Sequence, residues 1–559
     1  MLIKYASMQR FSALLLQKQL IQAVLVGFYC VLLSLVSLNI QAASIVLTPI
    51  GGAAVPSTSP AASAEIIAFQ AQDQRLLVAN SKPAQLEVFR LTPQGVLSHE
   101  GWLAVGQSVA EQVAEIGMND VGDLTSVAVR DQDGLVAVTV ALKTGQPGYV
   151  VFYTGKTLAL VGLVRVGHLP DMLTFSPDGT HLLVANEGEP TADYSYDPPG
   201  SVTVLAIEKV IEPGLSVLRS ATELQFDEVP GLAAIRTRHA AAGDAAQQAR
   251  DVEPEYIAVS ADSATAYIAL QENNAIATLN LRGADGSPQI ERLWSLGRKD
   301  HRLPANAIDA SDRDGGIKLR NWPLYSYFMP DGLAAYTVAG ETYLLTANEG
   351  DAREYAGYRD TRRVAELRCR LQLSKADQDW LATHHQRERR QLTYLRGDAA
   401  LGRLWVEAES DHSKVCAPLT ALGARSVSIW HAGSGELVWD SGADFERISH
   451  QALGEDANQG DSRSDVRGPE PEALAVFTIA DETYAFIGLE KTNGVMVYRI
   501  TNPQQPEFIQ YVVADPKRYD GPESLLVVSA EAYGGTQPLL LVAHEYSASI
   551  AVFRIDMLP

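Results

Sequence analysis

Two near copies of one short segment, Ala185-Asn186-Glu187-Gly188-Glu189 and Ala347-Asn348-Glu349-Gly350-Asp351, decide how the rest of the chain is interpreted. Each copy follows an apolar run. An earlier apolar run precedes this one in each repeat, and it begins at a Pro-Asp pair, Pro170-Asp171 or Pro330-Asp331. Self-similarity of this kind is the sequence signature of a repeat architecture. We therefore expect one structural unit to recur along the chain, with acids at the same two places in each copy.

Seven segments of the chain follow this plan. An acid or a Pro-acid pair opens an apolar strand, a turn leads to a second apolar strand that ends in a polar residue, and a third strand rich in Val and Ile follows. The opening acids are Glu65, Asp123, Asp171, Glu255, Asp331, Glu472 and Glu523. The strands are continuously apolar, as in sheets buried on both faces, whereas a two-sheet sandwich would show polar alternation. Stacked blades bury both faces of each sheet, so we predict an all-β fold, a β-propeller of seven blades.

The N-terminal segment differs from the repeats. Residues 1–42 carry a few basic residues and an apolar run, Ala23–Leu38, followed by a small residue at Ala42. This pattern predicts a secretory signal peptide, with an uncleaved anchor as the alternative because the region before the apolar run is long. We expect a periplasmic or extracellular protein with no membrane span once the signal is removed.

The remaining chain divides into a linker and one large domain. Residues 43–63 begin with a short predicted strand, Ser44–Leu47, and continue as a Gly-, Ala-, Pro- and Ser-rich linker. The propeller domain is predicted over 64–559. Its fifth blade carries a partly helical insertion, 352–424, in which a helix is predicted over Ser374–Leu392 because Ser374 suits an N-cap.

The charge balance excludes one class of partner. The net charge is −22 at pH 7. Nucleic acid binding needs Lys and Arg to neutralise phosphates, so we expect no nucleic acid partner. An acidic surface suits divalent cations or basic partners instead.

Two cysteines remain after the predicted signal is removed. Cys369 and Cys416 can form a single disulfide in an oxidising compartment or stay as two thiols. A disulfide at this spacing would stabilise the fold by about 3–4 kcal/mol. Neither residue belongs to a Cys-x-x-Cys pair, so the sequence gives little support to a zinc or redox site.

The acids of the repeat are the strongest site candidates. In a propeller, the connection that enters a blade's first strand and the loop after its second strand lie on one face, so both sets of acids ring one mouth. Such a density of like charge requires protonated carboxylates or a neutralising cation, and calcium prefers six to eight oxygen ligands. We predict a site for calcium or another divalent cation. The predicted ligands are Asp171, Glu187, Glu255, Glu272, Asp331, Glu349, Glu472, Glu490, Glu523 and Glu545. Alternatively, several of these acids cap turns or pair with Arg353, Arg425 and Arg467.

Other positions are weaker candidates. Asp309–Gly316 clusters Asp before Gly but lacks EF-hand spacing, so a plain turn is equally expected. Asp193 and Asp197 could add oxygen ligands or solvate a loop. His168 and His544 could act as acid–base groups, with a packed or solvent-facing His as the alternative. Phosphate-loop, Gly-x-Ser-x-Gly and His-Glu-x-x-His signatures are missing, so no catalytic residue is assigned.

These motifs resemble a known family, the choice-of-anchor I family, also called mesenchyme-specific cell surface glycoprotein-like. The resemblance covers nearly all of the chain after the predicted signal. It rests on Leu169–Met172 through Ala185–Pro190, Asp309–Gly315, Thr346–Arg353, Gly423–Ser426 and Gly468–Glu472. It implies a secreted or surface β-propeller. Some members carry an alkaline phosphatase label or are joined to nucleotidase domains, and the family supplies no settled catalytic residues. Members often end in a surface anchor; this sequence ends at Pro559, so we expect a soluble periplasmic or released form.

Three functional hypotheses follow. The first is a secreted propeller that acts as a binding module for an unknown ligand or surface partner, with a divalent cation at its acidic mouth. The second is a metal-dependent phosphoesterase that uses the same acids, with Arg353 and Arg425 as phosphate ligands. The third treats the acids as structural caps without a ligand. Whether the protein is an enzyme is left open.

Overall fold

Antiparallel sheets of four strands make up most of the structure. It is a computed structural model and describes residues 44–56, 63–207, 218–238, 245–283, 285–356, 358–384, 391–408, 414–416 and 418–558. Within these residues there are seven sheets of four strands and three smaller sheets. The architecture is therefore all-β and propeller-like, as predicted.

The strands and helices have the following bounds. The strands are β1 (Ser44–Ala54), β2 (Ile67–Gln70), β3 (Arg75–Asn80), β4 (Gln85–Leu91), β5 (Leu97–Leu103), β6 (Val121–Val129), β7 (Val136–Leu142), β8 (Pro147–Tyr153), β9 (Leu160–His168), β10 (Pro170–Phe175), β11 (His181–Asn186), β12 (Ser201–Ile207), β13 (Leu218–Leu224), β14 (Ile257–Val259), β15 (Thr265–Leu270), β16 (Ala275–Asn280), β17 (Gln289–Ser295), β18 (Arg298–Asp300), β19 (Tyr325–Tyr327), β20 (Leu333–Val338), β21 (Glu341–Asn348), β22 (Glu354–Tyr355), β23 (Tyr358–Arg359), β24 (Thr361–Arg363), β25 (Trp405–Glu407), β26 (Thr420–Ala421), β27 (Ser426–His431), β28 (Leu437–Asp440), β29 (Pro471–Ile479), β30 (Glu482–Leu489), β31 (Gly494–Arg499), β32 (Glu507–Val513), β33 (Pro522–Val528), β34 (Leu539–His544) and β35 (Ser549–Leu558). The α-helices are α1 (Val105–Gln112), α2 (Ala245–Arg250), α3 (Lys375–His384), α4 (Gln391–Leu395), α5 (Asp444–Leu453), α6 (Ala457–Gly460) and α7 (Ala530–Tyr533).

The seven four-stranded sheets follow one another along the chain. We number them sheet I (β2–β5), II (β6–β9), III (β10–β13), IV (β14–β17), V (β20, β21, β27 and β28), VI (β29–β32) and VII (β33, β34, β35 and β1). The first strands of successive sheets contact one another in chain order, and β33 of sheet VII contacts β2 of sheet I. These first strands therefore form a ring around a common centre.

Apolar cores lie between neighbouring sheets and explain the continuous apolar runs. Leu76 and Leu77 are adjacent in β3, and both are fully buried. Leu76 packs with Leu541 of sheet VII, whereas Leu77 packs with Val138 of sheet II. Successive side chains of a strand point to opposite faces, so a sheet packed on both sides needs apolar residues at every position.

The N-terminal strand completes the last sheet. The predicted strand at Ser44 is present, but it extends to Ala54, so the linker predicted to follow Leu47 is wrong for residues 48–54. It lies beside β35 at the outer edge of sheet VII, so the two ends of the described chain share one sheet. The outermost strands of the other sheets were not predicted. β5, for example, alternates partly buried and exposed residues because its sheet edge faces solvent.

The insertion in sheet V shares a separate apolar core with Ile308–Leu324, a segment that precedes β20. Cys369 and Cys416 form a disulfide, which settles the alternative left open by the sequence. Both pack with Leu381 and Leu401 in one buried cluster. The helix predicted from Ser374 is present as α3, and the Asp377 N–H donates to Ser374 Oγ at 3.1 Å, as expected of an N-cap.

Some predicted features lie outside the described residues. These include the signal peptide of residues 1–42, the part of the predicted linker at residues 57–62, and the part of the predicted helix at residues 385–390. Among the residues that are described, no helix is both long enough and apolar enough to cross a membrane.

Candidate functional site

A cavity at the centre of the ring is lined by carboxylates. Its volume is about 220 Å³. The acids that line it are Glu65, Asp171, Glu187, Glu255, Asp331, Glu472 and Glu523. Sheet II contributes Thr125 in place of an acid. All seven sheets therefore reach this cavity, and no Lys or Arg of the described chain lines it.

Local irregularities in the first strands aim several of these acids at the cavity. Asp171, Glu472 and Glu523 are each the second residue of a first strand, directly after a proline. The pairing register shifts at this point in β10, β29 and β33. A β-bulge bends a strand and redirects a side chain, so a Pro-acid pair at a bulge directs the carboxylate towards the central cavity.

The residue before the proline connects the two sets of predicted acids. It has a left-handed backbone at Leu169 (φ 46°), Met329 (φ 51°), Glu470 (φ 51°) and Gly521 (φ 73°). Its carbonyl accepts a hydrogen bond from the loop after the second strand. The donors are the N–H groups of Glu187 (2.9 Å), Gly350 (3.0 Å), Glu490 (2.9 Å) and Glu545 (2.8 Å), respectively. This repeated bond brings the loop of the second acid against the turn of the first.

Burial and mutual repulsion act against ionisation in the cavity. Burial, with neighbouring carboxylates, raises the pKa of Glu65, Asp171 and Asp331 to about 7. The same causes raise the pKa of the other lining acids, Glu187, Glu255, Glu472 and Glu523, well above its ordinary value. Desolvation and like charge both favour the protonated form. A cation would relieve both effects.

The ten predicted ligands divide into two groups. Six line the cavity: Asp171, Glu187, Glu255, Asp331, Glu472 and Glu523. The other four, Glu272, Glu349, Glu490 and Glu545, lie around it and interact electrostatically with the lining acids. Asp123, an opening acid of the repeat, lies elsewhere: it pairs with Lys82 at 2.5 Å in a partly exposed position.

Three acids outside the cavity lining lie close enough to hold a metal ion together. Glu349, Glu470 and Glu490 are buried, and one oxygen of each lies within 4.8 Å of the others. This triad already has cationic neighbours. Arg467 lies 3.5 Å from Glu349 and 3.1 Å from Glu470, and Lys491 contacts Glu490. The alternative of acids paired with Arg467 is therefore realised at this position, whereas the cavity acids form no ion pair in the described chain.

Sequence reasoning did not select two buried acids of this region. Glu253 and Glu470 are both fully buried, and each begins a Glu-Pro-Glu triplet whose second Glu lines the cavity. Glu253 accepts from Arg353 Nε at 2.5 Å, and Glu470 accepts from Arg463 Nε at 2.6 Å. The repeated triplet is the signal that could have identified them.

The arginines considered as phosphate ligands are engaged within the fold. Arg353 is buried and bound to Glu253. Arg425 is also buried and donates to Glu446 Oε1 at 2.6 Å and to the Asp309 carbonyl at 2.7 Å. Neither side chain lines the cavity.

The weaker candidates have structural partners. Asp309 accepts from the N–H groups of Ser311 (3.3 Å) and Lys318 (3.0 Å), which favours the turn over a calcium loop. Asp193 accepts from the Ser195 N–H at 3.0 Å, and Asp197 pairs with Arg238 at 3.4 Å.

The two histidines also fit structural roles better than catalytic ones. Nδ1 of His168 lies 2.8 Å from the Gly145 carbonyl oxygen. His544 is 2% exposed, and burial lowers its pKa to about 4. Neither of them lines the cavity.

Comparison with known proteins finds similarity to one relative and to two solved structures. Gigasin-3a from Magallana gigas is 22% identical over 205 residues, which cover 30% of this chain and 69% of that protein. The hydrazine synthase of Kuenenia stuttgartiensis has a TM-score of 0.43 at 12% identity, covering 91% of this chain and 99% of that one. A chain of the mitotic checkpoint complex has a TM-score of 0.42 at 8% identity, covering 91% and 94%. Scores this low support no inference about this protein.

The family comparison is specific. The family model described as the choice-of-anchor I domain matches residues 65–503, which include sheets I to V and most of sheet VI. The match contains six of the seven cavity acids and all of the motifs on which the resemblance rested. The chain belongs to the choice-of-anchor I domain family.

Proposed function

We propose that this protein is a secreted, seven-bladed β-propeller that acts as a binding module and holds a divalent cation, calcium, in its central cavity. Membership of a choice-of-anchor family and a disulfide indicate an extracellular or cell-surface protein. Seven four-stranded sheets whose first strands form a ring support seven blades.

The observation that carries the cation proposal is a cavity with seven carboxylates and no ion pair to any of them among the described residues. Coulomb repulsion at this density is costly in a partly desolvated space. Calcium takes six to eight oxygen ligands, and carboxylates with waters can supply them. Asp171, Glu187, Glu255, Asp331, Glu472 and Glu523 would provide ligands directly, and Glu272, Glu349, Glu490 and Glu545 would add negative potential around them.

A binding role is better supported than a phosphoesterase role. A phosphate near these acids would need cationic side chains as well as metal, and Arg353 and Arg425 are both held in internal ion pairs. A mouth with a bound cation can instead recognise an acidic group on a ligand or surface partner. The acidic side chains that do not bind the cation would favour basic groups on the partner.

Calcium-dependent melting tests the proposal. A ligand that binds only the folded state raises stability by RT ln(1 + [L]/Kd), about 2.7 kcal/mol at a hundredfold excess over Kd. Chelator-treated protein should melt at a higher temperature when millimolar calcium is added, and Glu472→Gln should weaken the shift. Asp123→Asn is the matched control, because Asp123 belongs to the same repeat but pairs with Lys82. An absent shift in the unaltered protein would refute the site.

A phosphatase assay tests the alternative. The protein is incubated with an aryl phosphate and calcium, magnesium, manganese or zinc. Our proposal predicts no turnover. Turnover that is lost in both Glu187→Ala and Glu349→Ala would favour the phosphoesterase.

A further inference from the structure

We propose that a second cavity, which we call the side crevice, binds an acidic sugar of the uronic acid type, and that Arg463 pairs with the sugar carboxylate. The side crevice lies between β24 and β25 of the insertion and the segment of residues 463–467 that precedes β29. Its volume is about 460 Å³, which is within the range of ligand sites. It shares no lining residue with the central cavity, so this inference goes beyond the proposed cation and does not depend on it.

Asp465 holds the two walls of the side crevice together. This buried carboxylate accepts from Arg363 Nη1 at 2.5 Å, and the Asp465 carbonyl accepts from the Trp405 N–H at 3.1 Å. The Arg363 guanidinium also lies over the Trp405 ring, 4.7 Å from its centre. The walls are therefore fixed before a ligand arrives, and a preformed site loses little conformational freedom on binding.

Arg463 presents N–H groups that the fold does not use. Its Nε donates to Glu470 Oε1 at 2.6 Å, and its Nη2 lies 2.5 Å from the same oxygen. These two nitrogens form one edge of the planar guanidinium, so Nη1 points away from Glu470. Nη1 has no acceptor among the described residues, and 24% of the side chain is exposed at the wall of the side crevice. Guanidinium N–H groups form strong, charge-assisted hydrogen bonds with carboxylates.

Two carboxylates on the rim of the side crevice favour hydroxyl groups over an ammonium group. Asp351 and Glu354 line it, and each side chain is 50% exposed. Asp351 pairs with Arg467 at 2.6 Å, and Glu354 pairs with Arg359 at 3.3 Å. Their charge is thus already offset, whereas their oxygens can still accept further hydrogen bonds. Neutral hydroxyl donors suit such acceptors, and the ammonium group of an amino acid would lack a free counter-charge.

The remaining lining provides an apolar surface for a sugar ring. Trp405, Leu422 and Val466 lie in the wall of the side crevice. One face of a pyranose ring consists of C–H groups, which pack favourably on an indole and on aliphatic side chains. The side crevice therefore combines donors for a carboxylate, acceptors for hydroxyl groups and an apolar wall. A uronic acid matches all three.

Isothermal titration calorimetry with digalacturonate tests the inference. The protein is kept in chelator, so that no cation bridges the protein and the probe. We expect a Kd of about 1 mM or tighter for digalacturonate, and binding at least about tenfold weaker for galactobiose, the neutral disaccharide without carboxylates. Glycylphenylalanine serves as the peptide-type probe and should bind more weakly than digalacturonate.

Three variants assign the binding to the side crevice. Arg463→Lys keeps a positive charge beside Glu470 but removes Nη1, so digalacturonate should bind about tenfold more weakly. Val466→Phe narrows the side crevice without removing an ion pair and should abolish binding. Arg90→Lys is the matched control, because Arg90 binds Glu100 through Nε (2.5 Å) and Nη2 (3.2 Å) outside the side crevice, and its affinity should be unchanged. Circular dichroism confirms that each variant is folded.

Several outcomes would overturn the inference. These are no binding of digalacturonate by the folded protein, equal affinity for galactobiose, and full affinity in a folded Arg463→Lys or Val466→Phe variant. Tighter binding of glycylphenylalanine would identify a peptide ligand and would also overturn the acidic sugar. Because the titrations contain no free calcium, none of these results affects the proposed cation, which the melting assay tests separately.

Discussion

The peptide N–H of Glu545 donates a 2.8 Å hydrogen bond to the carbonyl oxygen of Gly521. The same bond joins Glu187 to Leu169 and Glu490 to Glu470. It connects the loop after each second strand to the turn that precedes each first strand. The acids of two separate loops therefore meet at one mouth because the backbone holds those loops together, independently of any bound ion.

Gly521→Ala should destabilise the fold more than a comparable glycine substitution. Gly521 has φ +73°, and an added Cβ would lie 2.5 Å from the Tyr546 ring. We expect a loss of about 2–3 kcal/mol, from the left-handed backbone and the clash together. Gly286→Ala is the control: its φ is +85° and no atom lies within 4 Å of the new Cβ, so about 1 kcal/mol is expected. Equal losses in chemical denaturation would contradict this assignment.

Breaking the buried pair between Arg353 and Glu253 should be strongly destabilising. Both side chains are 1% exposed. Arg353→Met leaves the buried carboxylate of Glu253 with only Arg238, 3.6 Å away, and without its direct hydrogen bond, so we expect a cost towards the lower end of about 3–5 kcal/mol. Adding Glu253→Gln should recover part of the loss. Lys375→Met, which removes an exposed pair with Asp379, should have little effect. Similar unfolding free energies for Arg353→Met and Lys375→Met would show that the buried pair is not important.

Removing the disulfide should weaken the insertion. Cys369 and Cys416 are 47 positions apart, and a link over such a loop contributes about 3–4 kcal/mol. In the double variant Cys369→Ser, Cys416→Ser, we expect a lower melting temperature and earlier proteolytic cleavage between β21 and β27. An insertion equally resistant to protease in both forms would mean that its apolar core alone maintains it.

The repeat could be predicted from sequence because both of its signals are local. Apolar strands such as Leu182–Val184 and the Pro-Asp turn at Asp171 need only neighbouring residues to be recognised. The outer strands could not be predicted in this way, since β5 has mixed polarity at a solvent-facing edge. The place of β1 in sheet VII depends on its contact with β35, a strand far away in the sequence, which no local pattern encodes.

The positions and partners of the acids could also be predicted only in part from the sequence. Six of the ten predicted ligands line the cavity, because position within the repeat fixes where a residue lies in the ring. Asp123 departs from the pattern because its strand has register shifts on both sides of Leu124, and Thr125 takes the lining position. Which acids have an arginine partner depends on distant segments, as with Arg467 and Glu349. Sequence spacing alone cannot show such pairing.

The cation-free protein should lose stability as the pH rises. The pKa of Glu65 is raised from 4.5 to about 7 by burial, so its ionisation is penalised in the fold. The contribution of protonated Glu65 to the free energy of unfolding is fully present below pH 4.5. As the pH rises towards and beyond 7, about 3 kcal/mol of this stability is lost. The other cavity acids act in the same direction. His301 and His544 act in the opposite direction below pH 6.5, because burial lowers their pKa to about 3 and about 4.

This pH dependence can be measured by urea denaturation in chelator between pH 5 and pH 8. Glu65→Gln should flatten the curve, whereas Glu507→Gln, at a largely exposed residue, should not. Calcium should stabilise the protein more at pH 8 than at pH 5. A cation-free protein whose stability increases steadily across this range would contradict the charge repulsion on which the cation site depends.

The most direct test of the account is anomalous diffraction from crystals of the protein grown with manganese, a divalent ion that also binds carboxylate oxygens. We predict an anomalous peak inside the central cavity, within coordination distance of carboxylates from Asp331 or Glu472 and from Asp171 or Glu255. Peaks confined to the outer surface, with a cavity that holds water alone, would contradict the proposal that these acids converge to bind a cation.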